Sequence, residues 1–281
     1  MPPLRRQFAW MVIAAVFISK TASAQDGLIY PLGAAANAAG DLFVADRQLP
    51  GIWLWGAEKP TVFVQGEKRI RGRLNAVRCL ASDQNGKLLV GDSATREVYR
   101  VGDDKMLTPL SAGDRGVGQI GIPTAIAVAT NGDIYVADLD IHAIWRIAGG
   151  ETKIFSRVRA PRGLVFDKRG DLLVVSHGAD QVLRLDKDGK ATIAVKGRPF
   201  RFPHNIAVDG DGVMYVTDGY ARAVWRIAAG ESPAKLAEGA PFVNPVGIIW
   251  RKDHLIVVDS RAQAMFRVTT DGKVSKLNDD G

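Results

Sequence analysis

The 281-residue chain has a single cysteine, Cys79, so no disulfide can form within it. A catalytic thiol there would need a paired base, and RCLAS (78–82) sits in no such pattern, so Cys79 reads as a small buried hydrophobe on an inner strand. Long apolar runs are missing too. The run Phe8–Ile18 ends after 11 residues, where a membrane-spanning helix needs about 20. After it, no segment keeps a 3.6-residue apolar period over helical length, which excludes a helical protein. GxSxG, HExxH, Walker and Rossmann patterns are absent, so hydride transfer and nucleotide hydrolysis have no support. With 47% hydrophobic and 24% charged residues, the composition excludes disorder.

The N-terminus reads as a targeting segment. Arg5 and Arg6 precede the Phe8–Ile18 run, and Ala22 and Ala24 follow it, the pattern of a secretory signal peptide over residues 1–24 cleaved between Ala24 and Gln25. The expected location is the periplasm or the external medium, with no transmembrane segment in the mature chain. Removing Arg5, Arg6 and Lys20 lowers the formal charge from +7 to +4, so much of the basic excess belongs to targeting.

The rest of the chain, 25–281, is built from one repeated unit. GDLFVAD (40–46), GKLLVGD (86–92), GDIYVAD (132–138), GDLLVVS (170–176), GVMYVTD (212–218) and DHLIVVD (253–259) share a pattern closing on Asp46, Asp92, Asp138, Ser176, Asp218 and Asp259. An apolar stretch opening at Pro31, Val77, Pro123, Pro161, Pro203 or Pro245 precedes each, and an aromatic-Arg or apolar-Arg exit such as IWR (144–146) or VWR (224–226) follows most of them. Each unit reads as four short strands. Such a unit cannot bury both its faces alone, and radial stacking of six predicts an all-β, six-bladed propeller of four-stranded antiparallel blades. The recurring aromatics Trp53, Tyr99, Trp145, Trp225 and Phe266 are expected to pack between blades, and the recurring Arg100, Arg146, Arg184, Arg226 and Arg267 to pair with a recurring Asp. Closure is expected from Gly27–Tyr30 pairing beside 273–277. A closed ring permits a monomer.

PTAIAVATNGDIYVAD (123–138) and PHNIAVDGDGVMYVTD (203–218) resemble the NHL repeat, and behind it the six-bladed SMP-30/gluconolactonase propellers. The resemblance covers nearly all of 25–281. It implies the fold; family functions range over lactone hydrolases, lyases and binding scaffolds.

In a propeller, the start of the innermost strand and the end of the second lie on one face, around the axial channel. Arg78, Arg162 and His204 follow strand openings in units 2, 4 and 5. They are expected to converge on an anion pocket, with Asn205 and His177 nearby and His204 as the candidate general base. The expected partner is a small anionic molecule or an envelope protein. The alternative is a metal-dependent lactone hydrolase or lyase. The resemblance to peptidyl-amidoglycolate lyase propellers implies zinc on histidines of PH motifs, of which this chain keeps only His204; His142 and His254 fall elsewhere. The SMP-30/gluconolactonase resemblance implies an axial divalent cation such as calcium, for which Asp138, Asp218 and Asn205 are candidate oxygen ligands, with Asn75 and Asn244 also available. The basic run KRIRGRLNAVR (68–78) lacks interleaved aromatics. It reads as a solvated loop or a contact to an anionic envelope surface, and nucleic acid is not an expected partner.

Overall fold

The structure is a computed structural model describing residues 27–56, 60–111 and 119–277. The signal-peptide reading and its cleavage point fall outside the described residues. Six four-stranded antiparallel sheets, each in sequence order, form the six blades of a propeller. Blade 1 comprises β1 (Pro31–Ala36), β2 (Leu42–Asp46), β3 (Gly51–Trp55) and β4 (Thr61–Gln65), and blade 2 comprises β5 (Val77–Ser82), β6 (Leu88–Asp92), β7 (Glu97–Val101) and β8 (Leu107–Pro109). Blade 3 runs through β9 (Pro123–Val128), β10 (Ile134–Asp138), β11 (Ala143–Ala148) and β12 (Glu151–Arg157), and blade 4 through β13 (Pro161–Phe166), β14 (Leu172–Ser176), β15 (Val182–Leu185) and β16 (Ala191–Val195). Blade 5 holds β17 (Pro203–Val208), β18 (Met214–Asp218), β19 (Ala223–Ile227) and β20 (Ala234–Glu238), and blade 6 holds β21 (Pro245–Arg251), β22 (His254–Asp259), β23 (Ala264–Thr269) and β24 (Val274–Lys276). The innermost strands β1, β5, β9, β13, β17 and β21 neighbour one another in turn, and β21 returns to β1.

The core lies between blades rather than within any one. Apolar clusters fill each junction: Trp145 of blade 3 packs with Leu89 and Cys79 of blade 2, and Phe266 of blade 6 packs with Tyr215 of blade 5. The second strands of blades 1 to 5 are buried at every position, and that of blade 6 at all but His254, because both of their faces meet a neighbouring sheet. Cys79 is buried there, and desolvation pushes its thiol up to about 12.

Closure differs from the expected terminal strand. Residues 27–30 form no strand, and all four strands of blade 6 come from the C-terminal unit. Instead, Leu28 inserts into the cluster between blades 6 and 1 with Met265 and Leu277. Gln263 Nε2 donates to the Ile29 carbonyl at 3.0 Å, and Arg251 Nη2 donates to the Gly40 carbonyl. The seam is therefore held by side chains, because each unit already completes its own sheet.

The recurring arginines do pair with acids. Arg100 meets Asp83 at 3.0 Å, Arg146 meets Asp133 at 2.6 Å, and Arg184 meets Asp167. In these three blades the acid belongs to the first hairpin of the same blade, so the bridges tie β-turns to third strands at the end opposite the channel mouth.

Candidate functional site

Each innermost strand opens with an irregularity of the same kind. The opening residue pairs with the residue closing the second strand, as in Pro161↔Ser176 and Pro203↔Asp218, and the ladder then skips before resuming at Gly163 or Ile206. The extra residue of such a bulge leaves the ladder and its side chain is re-aimed. Repeated around the ring, this device turns Leu32, Arg78, Thr124, Arg162, His204 and Val246 into one cavity of about 200 Å³ at the channel mouth. The sequence-predicted trio Arg78, Arg162 and His204 shares that cavity, with Asn205 beside them. Below it a shaft of about 450 Å³ follows the axis, with Leu32, Arg78, Thr124 and Asn205 lining both spaces.

The mouth carries cations and no carboxylate in its lining. Arg78 Nε donates to Ser93 Oγ at 2.8 Å, and burial, then the charges of Arg47 and Arg162, hold its guanidinium below the usual arginine range. Arg162 is lowered by burial, lies 5.7 Å from the centre of the Phe202 ring, and its buried Nε has no hydrogen-bond partner. Arg47, which sequence reasoning missed, completes a triad of guanidinium groups. None of the three forms an ion pair among the described residues.

His204 is surrounded by this positive field. Burial, then Arg162, then His177, pulls its imidazole down to about 3, so the ring is neutral at ordinary pH. Neither ring nitrogen has a hydrogen-bond partner among the described residues. His177 sits outside the cavity lining, behind Phe202. Its Nε2 lies 2.8 Å from the Pro203 carbonyl, which can only accept, so Nε2 carries the proton and Nδ1 the lone pair. Burial lowers its pKa first, and Arg162 and Arg198 lower it further. Phe202 joins the group, with its ring centroid 4.4 Å from His177, 5.0 Å from His204 and 4.5 Å from a stacked Tyr220. Asn205 Oδ1 accepts from the Ile206 amide at 2.9 Å, leaving its Nδ2 as a donor at the mouth. His142 Nδ1 accepts the Ala160 amide in a loop, and His254 neighbours Asp253 in a hairpin.

The closing carboxylates line neither the mouth nor the shaft. Asp138 is fully buried and accepts from the amides of Gly121, Ile122 and Asp140 and from Trp145 Nε1, at 2.9–3.0 Å. Asp218 likewise takes the amides of Arg201, Phe202 and Ala221 at 2.7–3.1 Å. Each therefore pins the loop that enters its own blade. The nominated cation ligands Asp138, Asp218 and Asn205 have their oxygens committed to amides, and Arg78 and Arg162 repel a cation at the axis, so the set does not fit calcium. No cluster of three or more His, Cys, Asp or Glu side chains able to hold a metal occurs among the described residues, and His177 and His204 do not complete a zinc site.

Phe202, Tyr220 and Arg47 escaped sequence reasoning because they lie in non-repeating loops. The available signal was adjacency: Phe202 immediately precedes the PHN turn, and Arg47 and Tyr220 closely follow closing acids.

Neither a protein-family model nor a curated protein matches the chain. Solved structures share its fold. A virginiamycin B lyase from Staphylococcus aureus superposes with a TM-score of 0.68 at 16% identity, over 90% of this chain and 84% of the other. A gluconolactonase from Xanthomonas campestris gives 0.71 at 15% identity, over 89% and 87%. A chain of a nidogen/laminin complex gives 0.64 at 16% identity, over 85% and 89%. Two enzymes and a protein complex on one architecture agree on the fold alone.

Proposed function

We propose that this chain is an exported propeller that binds a small anionic molecule at the channel mouth. The carrying observation is the grouping of Arg47, Arg78 and Arg162 around one cavity whose lining holds no carboxylate. Placing three guanidinium groups together without an ion-pair partner costs stability, and an anion in the cavity offsets that cost while receiving directed, charge-assisted hydrogen bonds. Asn205 Nδ2 adds a neutral donor. Export rests on the residue 1–24 pattern, and a monomer is consistent with the closed ring. Calorimetric titration with simple carboxylates and inorganic phosphate tests the reading. Binding weakened about tenfold by Arg162→Ala, with folding intact, is the expected result; wild-type protein that binds none of these anions at low salt rejects it.

A second reading follows from His204. A neutral imidazole with unpartnered ring nitrogens beside an anion site offers a lone pair to the bound molecule, and an anion that offsets the charge of Arg162 would raise its weak basicity, as the proton abstraction of a lyase or lactone hydrolase requires. The fold shared with a virginiamycin B lyase and a gluconolactonase, and the NHL and SMP-30-like repeat pattern, support considering it. Turnover of a lactone or ester abolished by His204→Ala would favour this reading, and a panel without turnover would favour binding alone. Because the nominated ligand set does not fit a cation, no step is assigned to a metal.

A further inference from the structure

The loop entering blade 2, 66–76, stands on the mouth face and inverts the usual placement of apolar and charged residues. Ile70 at its tip is 92% exposed, whereas Leu74 at its base is fully buried. The tip is preformed. Glu67 pairs with Arg69 at 2.6 Å and Arg73 at 3.0 Å, the Glu67 amide donates to the Arg73 carbonyl, and Asn75 Nδ2 donates to the Arg69 carbonyl. Lys68 and Arg71 flank Ile70, are exposed, and have no acidic partner among the described residues. Across the ring, at blade 5, Tyr220 is 63% exposed and Arg201 is exposed and unpaired among the described residues. Val243, 44% exposed, enters blade 6 on the same face. On the opposite face Arg100, Arg146 and Lys273 bridge to Asp83, Asp133 and Asp271, while cations there without an acidic partner among the described residues, such as Lys168, Lys187 and Lys252, are spread over separate hairpins.

We propose that the mouth face docks on an anionic lipid bilayer through this loop, with Ile70 entering the boundary between headgroups and acyl chains. Free cations around an apolar tip match a surface that is negative outside and apolar just beneath. A convex tip also suits a deformable bilayer, whereas an acidic protein would need a concave pocket shaped to Ile70. The mouth then faces the lipid surface, although the docking does not depend on what the mouth binds.

Co-sedimentation with vesicles of phosphatidylglycerol and phosphatidylcholine, against phosphatidylcholine alone, provides the test. All variants must share one processed N-terminus, because Phe8–Ile18 would itself partition into lipid. Binding to the anionic vesicles only, weakening as salt rises, is expected. Neutralising Lys68 or Arg71 should reduce partitioning about fivefold each, and Ile70→Ser about tenfold. Ile70→Cys carrying an environment-sensitive dye should shift its emission to the blue on anionic vesicles; buried Cys79 does not compete for the label. Because Ile70 is exposed, these variants should fold and should leave small-anion titrations unchanged, so this proposal and the anion-site reading fail separately. No binding to anionic vesicles at low salt, equal binding to both compositions, or full binding by Ile70→Ser would overturn the proposal.

Discussion

Replacing Asp138 with alanine removes the shared acceptor of four donors. The amides of Ile122 and Asp140 are partly buried and can turn to water, while the Gly121 amide and Trp145 Nε1 are buried. A buried donor left unpaired costs about 1–3 kcal/mol, so two of them give about 4 kcal/mol. For a domain of this size that is a fall of about 10 °C in Tm. Blade 4 provides the control, because Ser176 occupies the equivalent place, accepting one amide from Gly178 at 2.8 Å and donating to the Arg159 carbonyl at 3.1 Å. Ser176→Ala leaves one buried donor, the Gly178 amide, and should cost about 2 kcal/mol. Urea unfolding followed by tryptophan fluorescence measures both. If the two variants differ by less than about 1 kcal/mol, or if Asp138→Ala weakens ligand binding without lowering stability, then the closing acid serves the channel rather than the blade.

Other consequences are also measurable. His204 is held near 3 in the folded state and would titrate near 6.5 when unfolded, so the unfolded chain takes the proton first as pH falls. Stability should therefore decline from about pH 6.5 toward 3, by roughly 1 kcal/mol per pH unit from this group, and His204→Gln should flatten that part of the wild-type curve; an unchanged curve removes His204 as the cause. Affinity for a simple carboxylate, itself ionised throughout, should stay level between about pH 6 and 8 because His204 remains neutral there; tightening as pH falls toward 6 would contradict a neutral His204. Cys79, with its thiol pushed up to about 12, should resist alkylation at pH 8 until denaturant is added, and rapid labelling of the native protein would place it at the surface. Leu28→Ala should cost about 2–4 kcal/mol by opening a cavity at the seam between blades 6 and 1, and a change below 0.5 kcal/mol, measured by urea unfolding, would mean that the seam closes without it.

The fold was legible because the repeat states it six times over. The GDIYVAD-type segments mark second strands, and the prolines before them mark where the innermost strands begin. The convergence of Arg78, Arg162 and His204 was legible for the same reason, since equal positions in a ring must face one mouth. What escaped were contacts that no repeat encodes. Spacing shows that Asp138 and Asp218 end strands, but which donors fill a carboxylate depends on how the preceding loop turns, and that loop varies in length and sequence. Gly27–Tyr30 looked like a spare strand because a sheet edge needs a partner; here every unit supplies its own fourth strand, and Leu28 contributes packing instead. Phe202 and Tyr220 meet across a stretch of loop and strand that carries no periodic signal.

Six separate four-stranded sheets leave twelve strand edges with unpaired backbone groups, a number that would ordinarily invite aggregation. Arranged in a ring, half of them line the axial shaft, which admits small molecules but not another strand. The outer half is guarded less completely. β8 and β24 are three residues long, and ion pairs such as Lys153–Glu151 and Lys235–Glu238 sit on β12 and β20. Ile154 on β12 and Ile193 on β16 are 40% and 56% exposed, which makes the outer rims of blades 3 and 4 the places where two copies of this chain would first pair edge to edge under crowding.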